Sequence, residues 1–96
     1  MIHKLYSVRD SKAEYFEGIF PAKTHGEAER GFTTAVNDPK STISKFPEDY
    51  DLYYLGEFDD HTGKISAKPS PEHIVKGINV VRQKSNFSAD QSIPMN

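Results

Sequence analysis

Ninety-six residues with a net charge of −2, mean hydropathy of −0.68 and 35% hydrophobic content describe one small domain that buries a modest core and carries some polar, poorly ordered sequence. No cysteine is present, which excludes disulfides, thiolate metal sites and cysteine chemistry, and agrees with a reducing compartment. No apolar run is long enough to span a bilayer, and Met1-Ile2-His3-Lys4-Leu5-Tyr6 lacks the apolar stretch of a secretion signal, so a soluble intracellular protein is expected.

Ile2 to Arg9 alternates loosely, but its β-branched and aromatic content predicts a strand, and Asp10-Ser11-Lys12 reads as a turn. Ala13 to Phe20 is either the return strand of a hairpin or an irregular segment packing Tyr15, Phe16, Ile19 and Phe20; Pro21 should end it in both cases. Thr24-His25-Gly26-Glu27 has the spacing of a capping box, in which the Thr24 hydroxyl and the Glu27 carboxylate satisfy backbone donors at a helix start. Ala28, Phe32, Ala35 and Val36 then recur on one helical face, and Asn37-Asp38-Pro39 stops the helix. Lys40 to Pro47 is a connector with Ile43 and Phe46 available as anchors.

The stretch from Tyr50 to Asp59 reads as the central strand. With period two, Tyr50, Leu52, Tyr54, Gly56 and Phe58 share one face, and Asp51, Tyr53, Leu55, Glu57 and Asp59 share the other. Tyr53 and Leu55 thus form an apolar island among acids, which another segment or a partner should cover. Asp59 to Gly63 is a hairpin loop leading into Lys64-Ile65-Ser66-Ala67. Beyond it, Ser70 and Pro71 could start a second helix with Ile74, Ile78 and Val81 on one face, and from Lys84 onward the chain reads as a loose tail. The expected fold class is α+β: a small antiparallel sheet of three to four strands with one main helix, residues 25–37, on one face. Residues 1–67 form the domain, and residues 68–96 a C-terminal extension, partly helical or loosely ordered.

Charge is unevenly spread: residues 48–60 hold six acids and no base, whereas residues 61–96 hold five bases and two acids. A phosphate backbone would therefore be met by Lys64, Lys68, Lys76, Arg82 and Lys84, with Phe87 as a stacking group, although such residues often only keep a surface soluble. The acidic strand instead suits a basic protein partner. Asp59, Asp60 and His61 are the tightest cluster of candidate metal ligands but read as a turn, and the four histidines show no zinc spacing, so no metal or cofactor is expected. His25 reads as a solvated residue of the helix start. No acid, base or nucleophile stands in a recognisable arrangement, so no enzyme is expected.

Tyr6 to Glu14, Gly26 to Phe32, Ala35 to Pro39, Phe46 to Tyr50 and Leu55 to Asp60, in this order and with these gaps, resemble the small nonstructural protein of gokushoviruses, bacteriophages of the Microviridae with circular single-stranded DNA. The resemblance runs from about residue 5 to residue 65 and does not reach past Ala67. It implies a non-virion protein in the cytoplasm of the infected bacterium with a role in viral DNA synthesis. Two modes of action are expected: contact with single-stranded DNA through the basic C-terminal third, or docking of a host or phage replication protein on the acidic aromatic strand. A homodimer through Tyr53 and Leu55 would manage the unusual strand face.

Overall fold

Two hairpins meet along their first strands to build the sheet of this structure, a computed structural model that describes residues 1–82. Strand β1 (Ile2–Asp10) returns as β2 (Tyr15–Ala22), and β3 (Tyr50–Asp59) returns as β4 (Lys64–Lys76). The order is β2-β1-β3-β4, antiparallel throughout. Between the hairpins the chain runs through α1 (His25–Asn37), a single-turn helix α2 (Thr42–Lys45) and a 3-10 turn at Pro47–Asp49. This is the expected α+β architecture, with one main helix against one face of a small sheet.

Local chemistry explains most of the boundaries. Asp10 Oδ1 accepts from the backbone N–H of Lys12 and Ala13 at 3.0 and 3.1 Å, which closes the first hairpin. The Thr24 hydroxyl accepts from Glu27 N–H at 3.0 Å, while the Glu27 carboxylate reaches one residue further back than expected, to Lys23 N–H at 2.6 Å. On α1 the buried residues are Ala28, Phe32 and Val36, the stripe that the spacing predicts. They close over Tyr6, Ala22, Tyr50 and Leu52, with Val8, Phe20, Ile43, Tyr54, Ile74, Val75 and Val80 packed around them. Of the two connector anchors, Ile43 joins this core, but Phe46 is half exposed.

Pro21 does not end the second segment. It lies inside β2, opposite Leu5, and Pro69 and Pro71 lie inside β4. β2 is an outer strand, where a residue without an N–H can sit facing away from the ladder, and Pro69 and Pro71 fall in residues 68–71 of the outer strand β4, which pair with no residue of β3. The helix expected from Ser70 onward does not form either. Residues 72–76 instead pair with β3, Glu72 opposite Tyr54 and Val75 opposite Leu52, so tertiary hydrogen bonds win over a weak local helix signal in a segment rich in β-branched residues. Ala67, the expected end of the domain, lies inside β4. Only Gly77–Val80 coils, as a 3-10 turn. Asn37 at the end of α1 holds this turn, its Nδ2 donating to Val80 O at 3.0 Å and its Oδ1 accepting from Arg82 N–H at 2.8 Å.

The central strand breaks its own alternation. Tyr54 pairs with Tyr6 and Glu72, and Gly56 with Leu5 and Ala67, so Leu55 belongs to neither ladder and forms a β-bulge. Up to the bulge Tyr50, Leu52 and Tyr54 face α1. Beyond it Phe58 lies on the opposite face with its β1 partner His3, their ring centroids 6.1 Å apart. The continuous apolar face expected from Tyr50 to Phe58 is thus cut in two, because one extra residue inverts every later side chain. Gly56 makes the bulge feasible: its φ is 154°, and a Cβ there would lie 2.3 Å from the Ser66 carbonyl oxygen.

Candidate nucleic-acid interface

The face of the sheet turned away from α1 carries no covering element among the described residues. Across it runs a row of rings from three strands: Phe16 of β2, Tyr53 of β3 and His73 of β4. Phe16 and Tyr53 stand 5.3 Å apart with planes at 72°, and Tyr53 and His73 stand 5.3 Å apart at 82°. The intervening strand β1 places Ser7 opposite Tyr53, and this small side chain lets Phe16 reach across to the tyrosine. Ser7 itself is fully buried, its hydroxyl donating to the carbonyl of Gly18 at 2.5 Å.

Beside this row, Arg9, Asp51 and Lys76 oppose one another across β1, β3 and β4. The Arg9 guanidinium lies 5.9 Å from the centre of the Phe16 ring, within cation–π range. Asp51, only 16% exposed, accepts through Oδ2 from His73 Nε2 at 2.6 Å and lies 3.6 Å from Lys76 Nζ. A cavity of about 230 Å³ opens here, lined by Arg9, Ser11, Glu48, Asp51, Tyr53 and Lys76. Further along the same face, His3 Nε2 bonds Asp60 Oδ2 at 2.7 Å. Asp60 also holds the Met1 ammonium at 2.7 Å, and that bond first, with His3 second, keeps its carboxyl below its usual range.

The five basic residues singled out from the sequence lie at separate places. Lys64 stands opposite Asp59 at the tip of the second hairpin. Lys68 is on the helix side, its Nζ 5.3 Å from the centre of the Tyr54 ring and 3.3 Å from the Glu72 carboxylate. Arg82 follows the last 3-10 turn beside Asn37, and Lys84, like Phe87, lies outside the described residues. Of these, Lys76 joins the aromatic row. Leu55, expected beside Tyr53, is the half-buried bulge residue, and Tyr53 is flanked within its own chain by Phe16 and His73.

Four further residues depart from expectation. His25 is not a solvated helix-start residue: its Nδ1 and the buried Tyr6 hydroxyl share a hydrogen bond of 2.5 Å, and its ring meets those of Tyr6 and Tyr54 edge-on. Arg9, Phe16 and His73 were not legible as site residues, since only the pairing of β2 and β4 with the central strands brings them beside Tyr53. At the second hairpin loop, Asp59 Oδ1 accepts from His61 N–H at 2.9 Å, the work of a turn residue. Among the described residues no three candidate ligands converge on a point where a metal could sit.

A family model described as Phage ORF5 protein matches residues 3–80. Protein ORF5 of Chlamydia phage 1 is 35% identical over 64 residues, a stretch covering 62% of this chain and 67% of that protein. No solved structure matches the chain.

Proposed function

Because the chain belongs to the phage ORF5 protein family, found in gokushoviruses of the Microviridae, we propose that it is a non-enzymatic nonstructural protein that binds single-stranded DNA during viral DNA synthesis in the host cytoplasm. Bases stack on Phe16, Tyr53 and His73, and phosphates meet Arg9 and Lys76. The observation that carries this reading is the row of three rings on an uncovered antiparallel sheet with two cations at its side. Stacking on aromatic side chains supplies about 1–3 kcal/mol per base and tolerates any sequence, so a short row suffices where net charge gives little help. Docking of a replication protein on the acidic strand has less support, because Asp51 is already paired with His73 and Lys76, and Asp60 with Met1 and His3. A homodimer through Tyr53 and Leu55 also has less, since Leu55 is a bulge residue outside the ladders and Tyr53 is flanked by Phe16 and His73 of its own chain.

Fluorescence anisotropy with a labelled oligothymidylate tests the reading. Affinity should fall as salt rises, and Tyr53→Ala and Phe16→Ala should each weaken binding by roughly 5- to 100-fold. Duplex DNA, whose bases cannot reach the rings, should bind less well. Absence of binding at low salt, or wild-type affinity in both variants, would overturn the proposal.

A further inference from the structure

We infer that the cavity at the end of the aromatic row selects guanine within a bound single strand, an inference that rests on the reading of this face as a DNA-binding surface. At about 230 Å³ the cavity has the scale of a single base, several times the roughly 30 Å³ that one water occupies. Its walls are chemically divided. Asp51 and Glu48 are acceptors, Arg9 and Lys76 are donors, and the Tyr53 ring supplies an apolar surface.

Asp51 is the informative member. It is mostly buried, and its Oδ2 is committed to His73 and Lys76, while no donor among the described residues reaches its Oδ1. A carboxylate oxygen without a donor, on a residue that lines the cavity, favours a ligand that brings N–H groups. Guanine presents two adjacent donors, N1–H and the 2-amino group, on one edge and two acceptors, O6 and N7, on another. The first edge suits Asp51 and Glu48, and the second suits Arg9 or Lys76. Adenine and cytosine offer one amino group beside a ring acceptor that a carboxylate repels. Thymine's single N–H is flanked by two carbonyls.

The test compares oligothymidylates carrying one central dG, dI, dA or dC by anisotropy. The strand with dG should bind about 5- to 10-fold more tightly than those with dA or dC, and dI, which lacks the 2-amino group, should lose most of that advantage. In Glu48→Gln and Asp51→Asn the ratio of dG to dA affinity should collapse towards one. Glu48 is exposed, so its variant remains informative even if Asp51→Asn disturbs the fold. Failure of plain oligothymidylate to bind would overturn the surface itself and this inference with it. Binding without a dG preference, or a preference unaltered in both variants, would overturn the inference alone.

Discussion

The buried phenol of Tyr6 couples the stability of this protein to alkaline pH. Loss of water first, then the neighbouring Tyr54 and the carboxylates of Glu72 and Glu27, push it from 10.0 up to about 12. The folded value is the raised one, so the associated stability is fully present below the unfolded value of 10.0 and is lost as pH rises towards about 12. Thermal or urea unfolding followed across that window should show a decline on the order of 2 kcal/mol from this group. Tyr6→Phe should make the decline shallower without abolishing it, because burial and Asp10 also raise Tyr50. His25→Ala, which leaves the buried phenol without its hydrogen-bond partner, should cost about 1–3 kcal/mol at neutral pH. Gly56 sets a steric limit. Any Cβ there collides with the main chain of Ser66, so Gly56→Ala should lose about 3 kcal/mol by urea denaturation.

Among the elements, α1 depends on both of its ends. Thr24→Ala removes the acceptor for Glu27 N–H and should lower stability by about 1 kcal/mol. At the other end Asn37 ties the helix to Val80 and Arg82, so its substitution by Ala should loosen the turn after β4, seen as faster amide exchange at residues 77–82. The outer strands β2 and β4 keep their free edges unattractive to other sheets with Pro21, Pro69 and Pro71 and with irregular register. Yet they carry two of the three rings of the proposed DNA surface, which makes that surface sensitive to the register of the edges.

For the whole molecule, the two hairpins are held together by the β1–β3 ladder, and α1 seals only one side of the joint. Residues 72–76 of β4 close the sheet beside residues 51–54 of β3 and bring Ile74 and Val75 to the core. A chain ending at Ala67 should therefore lose cooperative unfolding in a thermal melt monitored by circular dichroism, although the sequence suggests a finished domain there. One sheet with a single covered face also divides the labour. Stability resides on the α1 side, and the opposite side carries the surface proposed to bind DNA.

The amino-acid sequence determined β1, β3 and the first residues of β4, the capping box at Thr24 and Glu27, the buried stripe of α1 and the family, because each is written in near neighbours or in blocks of contiguous residues; for β2 it left a strand and an irregular segment both open. Only the tertiary structure decided which face each residue of the central strand occupies. A single extra residue at Leu55 inverts Phe58, and nothing local marks a bulge until β1 and β4 fix the register on either side. The same holds for the segment after Ala67, where pairing with β3 overrode a helix signal, and for Arg9, Phe16 and His73, whose meeting around Tyr53 exists only once four strands lie side by side.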